Sequence, residues 1–449
     1  MATFGTWRRP FLRVTAGQSF PSAPKSYMSE LSSVSSLPLV TPPRHKILGP
    51  LHEPLFRSLW IAAVISYIGT WMQNVGAGWM MASLTMSPLM VGLVQAANSI
   101  AVFLVVLPAG AIADVVDRRK LLLVTQVWMV LAAAALGVLA IAGLVTPALL
   151  LLFTFLMGFG AVLNDPAWQA ITPEVVSREN FAAGIALNSA GFNVARAIGP
   201  ALGGLVIFAA GSGVAFLLNA VSFFGVILFL YRWKCEPGRT SLSVSHALDT
   251  MFEGFRHMRG SRTTRAVLVR SAVFSISASA LLALLPLYSH CFGSLGFGML
   301  LGLFGVGALA GAAIIPYLRR MMSVDALVAT STAVFAFSTY AAGRWPSFSA
   351  LSFTLPLAGI AWIQILASLN VAAQTMCPHH MRARAISMYL LVLQGGFALG
   401  AALWGAVAER VGVETSMEYA AVGLLAGIVA TIWFRLHPVP VEPNAIGMD

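Results

Sequence analysis

Charged residues are what this sequence has least of. Only 10% of its 449 residues are Asp, Glu, Lys or Arg, where a water-soluble domain carries about a quarter. That scarcity excludes an ordinary soluble enzyme or binding module. Cysteine is nearly absent as well: Cys235, Cys291 and Cys377 stand far apart with no CxxC spacing. Such spacing excludes a disulfide framework and offers no zinc or redox centre. No GxxxxGK[ST] stretch occurs, so no loop is built to cradle a nucleoside triphosphate. HExxH and GxSxG are missing too. His379 and His380 adjoin without companions, which leaves a membrane-embedded enzyme without a nucleophile or ligand set. No cofactor and no metal are expected.

Long apolar runs fill the space that charge vacates. Hydrophobic residues make up 58% of the chain, and the mean hydropathy is +0.83. About 20 apolar residues cross the ~30 Å hydrocarbon layer, and twelve such spans are legible. They cover 55–82, 89–112, 120–142, 148–168, 182–208 and 213–233, then 266–289, 296–318, 324–343, 350–374, 385–408 and 416–435. Short joints separate them, such as Thr85–Pro88 and Gly211–Gly213. The expected fold is therefore an all-α integral membrane protein of two six-helix bundles. The net charge of +11 does not gather on one folded surface, which argues against nucleic acid. Instead Arg118, Arg119, Lys120, Arg178, Arg319, Arg320, Arg382 and Arg384 fall in alternate joints. The positive-inside rule then places both termini in the cytosol of a multi-pass protein of the cell membrane.

Composition also divides the chain. Residues 1–52 are basic and rich in Pro and Ser, resembling a transit peptide in composition but read here as a disordered cytosolic extension. The first bundle runs 53–233, a cytosolic linker 234–265, the second bundle 266–435, and a tail 436–449. Within the linker, His246 to Met258 has the pattern of an amphipathic surface helix. The halves echo each other faintly, QAITP (169–173) against QTMCP (374–378) and GPALGG (199–204) against GAALWG (400–405). Duplicated halves with a binding site between them are a transporter plan.

One charge lies deep inside an apolar span. Residues 192–204 read FNVARAIGPALGG, and on a helix of 100° per residue Gly184, Gly191, Ala195, Gly199 and Gly203 share one stripe. Small stripes let another backbone approach, and the span with Gly298, Gly302 and Gly305 is the expected partner. Ser189, Asn193, Arg196 and Pro200 form a second stripe. Arginine facing lipid costs at least about 2.5–3.5 kcal/mol. Two readings remain: Arg196 pairs with a buried group such as Asp165 or backbone carbonyls, or it lines a watery cavity. Other polar groups at similar depth favour the cavity: Thr70, Gln73, Asn74, Asn98, Gln364, Asn370 and Gln394. With Trp71, Trp79 and Trp362 they suit amphipathic organic molecules, anionic ones by hypothesis.

The joint PAGAIADVVDRRKLLL (108–123) carries Gly110, Asp114, Arg118 and Arg119 at the spacing of the major facilitator superfamily loop motif. It departs from that motif at Val115 and Asp117. A carboxylate at a helix end can accept from a neighbouring helix N-terminus and pair with the next arginine, a latch made in one state and broken in another. GPALGG, with Gly191, Gly199, Pro200, Gly203 and Gly204, resembles the exporter helix motif of the same superfamily, Ala195 replacing one glycine. Residues 71–97, 164–176 and 193–204 are similar to its transmembrane-secretion-effector branch. The resemblance implies a proton-driven exporter of small amphipathic molecules, drug- or siderophore-like, working by alternating access. Its partners would be a small-molecule substrate, protons and the lipid bilayer, with the chain a monomer. Asp165 is the candidate for proton coupling, with helix termination beside Asn164 and Pro166 as its plainer role. An importer of small organic anions and a non-transporting receptor or scaffold stay open as alternatives.

Overall fold

The computed structural model describes residues 48–233, 262–375, 382–434 and 436, all within one unit. Residues 1–47, the stretch His246–Met258 and the tail beyond 436 lie outside the described residues. Every regular element among the described residues is helical. Among those residues eleven α-helices run in order: α1 (Pro54–Leu84), α2 (Pro88–Val115), α3 (Arg118–Ile141), α4 (Pro147–Val175), α5 (Phe181–Arg232) and α6 (Arg262–Tyr288). They continue with α7 (Gly293–Met321), α8 (Val324–Arg344), α9 (Phe348–Thr375), α10 (Arg382–Val411) and α11 (Val413–Ala430). All eleven are long and apolar enough to cross a membrane.

Local chemistry sets the boundaries. Pro54, Pro88 and Pro147 each open a helix, where proline's missing N–H costs nothing and its φ suits the first turn. Side chains of Ser87, Asp117, Thr146 and Ser323 accept from backbone N–H groups three residues on, satisfying donors that the first turn leaves free. Asp117, which departs from the loop motif, is thereby the N-cap of α3. Helix α5 has 52 residues, about 78 Å at 1.5 Å per residue, far more than a bilayer's apolar thickness. At Gly211 the chain takes φ 83° and ψ 166°, a conformation open to glycine and strained for other residues. The element is thus two helical segments, 181–210 and 212–232, joined at the expected Gly211–Gly213 joint.

Helices α1–α5 pack mainly among themselves, as do α6–α11, and two seams join the groups: α5 with α7, and α2 with α10. Both seams are backbone against backbone. A Cβ on Gly298 of α7 would sit 2.5 Å from the Pro200 carbonyl oxygen and 2.7 Å from the Gly204 Cα of α5. On α2, a Cβ at Gly92 would sit 2.5 Å from the Ala401 carbonyl oxygen of α10. Nearby, Ser87 Oγ donates to Glu409 Oε1 at 2.8 Å. Such closeness replaces the missing hydrophobic drive between helices in lipid with dispersion contact.

The expected partner of the small stripe is corrected here. Gly191, Gly199 and Gly203 face Val64, Trp71 and Met72 of α1, and Gly184 faces Val176. Helix α7 instead meets a second small face of α5 built from Ala197, Pro200, Ala201 and Gly204. A helix with small residues on both faces can take a neighbour on each, and the sequence pattern alone did not assign them. Helix α4 gives a further correction: it runs unbroken through Asn164, Asp165 and Pro166 to Val175, so Asp165 does not terminate it. Asn164 Oδ1 accepts from Thr125 Oγ1 and Gln126 Nε2 of α3, tying the two helices there. The last span is shorter than read, with α11 ending at Ala430.

At the start of α1, Glu53 binds the joint between α4 and α5. Its carboxylate accepts from Asn180 Nδ2 and Ser177 Oγ, each at 2.7 Å, and from the Ser177 backbone N–H at 3.1 Å. The hydrogen bond from Asn180 holds this carboxyl below the usual glutamate range, desolvation opposing it and the Ser177 contacts adding to it.

Two outcomes follow from this packing. Gly298→Leu lowers the thermal unfolding midpoint in detergent and disrupts the α5–α7 seam, overpacking costing about 1–3 kcal/mol or more. Gly225→Ala, whose Cβ would meet only Ala62 at 3.5 Å and beyond, leaves the midpoint within error. For Glu53, a folded pKa below the unfolded one means stabilisation above the unfolded value that disappears as pH falls through the folded value. The midpoint gap between wild type and Glu53→Gln is therefore widest at neutral pH and closes on acidification below the usual glutamate range.

Candidate functional site

A cavity of about 320 Å³ lies between the two helix groups. From α1, α2 and α5 come Trp71, Asn74, Gln95, Asn98, Arg196 and Pro200. From α6, α7, α9 and α10 come Leu282, Pro286, Phe297, Phe304, Trp362, Gln394 and Phe397. The α5–α7 seam borders it directly, since a Cβ on Gly305 would touch the Arg196 carbonyl oxygen at 2.7 Å.

Arg196 lines this cavity, and its Nε and Nη2 are buried without a hydrogen-bond partner. Among the described residues it makes no ion pair; the two found there are Arg118–Glu174 and Arg270–Asp325, each 2.8 Å. The reading in which a protein carboxylate neutralises Arg196 is thus not the arrangement seen. Asp165 lies on α4 and forms neither of the two described ion pairs. An unpaired guanidinium held from bulk water is costly, and an anion entering the cavity would relieve that cost.

Of the polar residues expected in a cavity, Asn74, Asn98, Arg196 and Gln394 come together. The others make hydrogen bonds to another helix or within their own. Gln73 is buried and its Oε1 accepts from Asn219 Nδ2 in the second segment of α5. Gln364 Oε1 accepts from Ser331 Oγ of α8 at 2.8 Å. Thr70 Oγ1 donates to the Ser66 carbonyl, Asn193 Nδ2 to the Ser189 carbonyl, and Asn370 Oδ1 accepts from Gln374. Two physical reasons apply. Gln73 and Gln364 find their partners across buried helix contacts. Thr70, Asn193 and Asn370 instead bond to groups one turn away on their own helices, since a polar group among apolar neighbours takes the nearest partner. Trp71 and Trp362 line the cavity, whereas Trp79 stacks on His290 with centroids 4.9 Å apart.

Phe297, Phe304, Phe397 and Gln95 were not singled out in the sequence. Phenylalanine has no distinguishing signal among 27 of its kind; only the fold reveals the wall. Trp362 stacks on Phe397 at 5.1 Å and meets Phe304 edge-on at 6.0 Å. Phe274 and Phe335 stand behind it, each 5.8 Å away, so the indole is braced on several sides.

The loop motif lies at the far end of α2. Gly110 and Asp114 fall within that helix, and the Asp114 side chain lies outside the described residues. Arg118 pairs with Glu174 of α4, an acid that the motif reading did not include. Arg119 donates from Nε to the Leu230 carbonyl at 2.7 Å and from Nη2 to the Tyr231 carbonyl at 2.8 Å. A cation there satisfies the last carbonyls of α5 and meets the negative end of the helix dipole. Among the described residues, no group of three His, Cys, Asp or Glu could hold a metal ion.

Paired helix groups around a polar and aromatic hollow make the fold seen in solved membrane transporters. Solved structures share the fold: a POT family transporter in complex with 5-aminolevulinic acid (TM-score 0.67, 13% identity, 84% of this chain and 95% of that one). The nucleoside transporter NupG matches with a TM-score of 0.65 at 15% identity, covering 85% and 99%. A bacterial homologue of the human lysosomal transporter Spinster, inward-facing and unoccupied, matches at 0.63 and 16%, covering 85% and 94%.

The chain belongs to the transmembrane secretion effector family of the major facilitator superfamily, whose model matches residues 46–445. Members of that superfamily are transporters and not enzymes, and this chain is a multi-pass protein of the cytoplasmic membrane. Its relatives include the multidrug efflux pump Tap of Mycolicibacterium fortuitum, 25% identical over 87% of this chain and 97% of the relative. The enterobactin exporter EntS of Escherichia coli O1:K1 / APEC is 26% identical over 83% and 90%. The staphyloferrin A transporter of Staphylococcus aureus is 22% identical over 59% and 67%.

The two arginines of the loop motif have separable roles. Arg119→Ala lowers stability by about 1.5–3 kcal/mol, the scale of hydrogen bonds from a charged donor. Arg118→Ala removes a largely exposed ion pair and costs about 1 kcal/mol or less. Chemical unfolding of both variants in detergent measures the difference.

Proposed function

We propose that the protein is a proton-driven secondary exporter of small amphipathic organic molecules, drug- or siderophore-like, working by alternating access. The observation that carries this reading is the unpartnered Arg196 in a hollow shared by both helix groups. A half-buried cation whose Nε and Nη2 are buried without a partner suits a site that an organic ligand fills and leaves. The efflux names of the relatives support the direction. In this reading the two segments of α5 cross separately, which makes twelve crossings with both ends in the cytosol. The glycine-built seams are the surfaces that close and part, since small side chains leave little to disentangle. The Gly110–Asp114–Arg118–Arg119 region is the cytosolic gate. Asp165 is the proton carrier, because a carboxylate at span depth can change charge as access alternates.

Everted vesicles containing the full chain test this. With a proton gradient imposed, an expelled compound accumulates inside the vesicles against its own gradient, and collapsing the proton gradient abolishes accumulation. Asp165→Asn loses at least tenfold of the gradient-driven accumulation while keeping downhill equilibration. Accumulation unaffected by an uncoupler, or a fully coupled Asp165→Asn variant, overturns the proton mechanism.

A further inference from the structure

The walls of the central cavity differ in chemistry according to the helix group that supplies them. Four of its five polar side chains, Asn74, Gln95, Asn98 and Arg196, come from α1, α2 and α5, and Gln394 alone comes from the other group. The aromatic residues divide the opposite way: Phe297, Phe304, Trp362 and Phe397 belong to α7, α9 and α10, with Trp71 alone on the polar side. We propose that the cavity selects an aromatic organic anion and holds it in one orientation. Its anionic group lies on Arg196 and its ring on the Phe304–Trp362–Phe397 wall.

The charge end follows from Arg196. Its Nε and Nη2 are buried and lack acceptors, and no described carboxylate pairs with it. A carboxylate or sulfonate supplies two acceptor oxygens to a planar donor fork. A ligand cation at the same place would meet an uncompensated like charge in a poorly solvated site. Asn74 and Asn98 add neutral donors to the same cavity without competing for the anion's charge.

The ring end follows from Trp362. Stacked on Phe397 and braced by Phe274, Phe304 and Phe335, it presents a fixed aromatic surface. Rigid aromatic walls bind planar rings with little loss of side-chain freedom. A saturated ring of equal size gains apolar contact but not the stacking geometry. Because each wall belongs to a different helix group, a ligand so oriented touches both groups at once. Trp362 and Arg196 are therefore specificity-determining residues, one for ring character and one for charge.

The proposal rests on the transporter reading but is tested by equilibrium binding without flux. The purified full chain in lipid nanodiscs is titrated with three probes of similar size: 2-naphthoate, 2-naphthamide and decalin-2-carboxylate. Empty nanodiscs correct for partition into lipid. The wild type binds 2-naphthoate at least tenfold tighter than either other probe. Arg196→Gln brings 2-naphthoate down to the affinity of 2-naphthamide and leaves 2-naphthamide unchanged, which also reports that the cavity has formed. Trp362→Leu weakens both naphthyl probes at least fivefold and leaves decalin-2-carboxylate within twofold. Equal or tighter binding of 2-naphthamide, or an Arg196→Gln variant that still prefers 2-naphthoate, overturns the proposal. So does the absence of naphthoate binding by a chain that exports other compounds in vesicles, an outcome that leaves the export reading intact. Selective naphthoate binding by a chain that moves nothing supports the cavity assignment and counts against export.

Discussion

Two helices can lie backbone to backbone only where their facing side chains end at a hydrogen or a methyl group. The contact of α5 with α7 is of this kind, Gly204 against Gly298 and Ala197 against Gly305, and the central cavity depends on it. It carries the Arg196 backbone to within touching distance of α7, so a cation from one helix group faces aromatic rings from the other. A larger residue at the seam would separate the walls. The matching seam of α2 with α10, tightest at Gly92 and Ala401, brings Asn98 and Gln394 to the same hollow.

Polarity inside the apolar helices is thereby divided between two uses. Gln73 with Asn219, and Gln364 with Ser331, satisfy each other in dry contacts within a helix group. Asn74, next to Gln73 on α1, and Asn98 on α2 open on the cavity instead. Adjacent residues Gln73 and Asn74 point about 100° apart on the helix, enough to send one amide to a neighbouring helix and the next to the hollow. Arg196 differs from both groups because no described partner satisfies it. Its state is tolerable where water or a ligand reaches it and not where lipid does.

The loop region shows how one charged cluster serves different ends. Asp117 caps α3, Arg118 reaches Glu174 across an exposed joint, and Arg119 closes the end of α5 through two carbonyls. At the opposite joint of the same helix, Glu53 fastens the entry of α1 to Ser177 and Asn180. These polar fasteners sit at helix ends, where four N–H groups at the start and four carbonyls at the finish need partners. In the middle of the spans that need vanishes, and small residues take over as the means of contact.

Much of the fold was legible without coordinates because lipid imposes length and period on a sequence. Proline at helix starts, short polar joints and the Gly211–Gly213 break marked the spans, and the Gly/Ala spacing of α5 and α7 announced close contact. Local rules of this sort need only neighbours in sequence. The same sequence placed Arg196, Asn74, Asn98 and Gln394 at cavity depth, yet it could not separate them from Gln73, Gln364, Thr70, Asn193 and Asn370. Depth is a property of one helix, whereas facing a hollow or a partner depends on the rotation of several helices together. For the same reason Phe304 and Phe397 gave no signal, and α1 rather than α7 met the small stripe. Tertiary packing alone decided which amides pair, which arginine is left without a partner, and that rings and charge come from opposite sides.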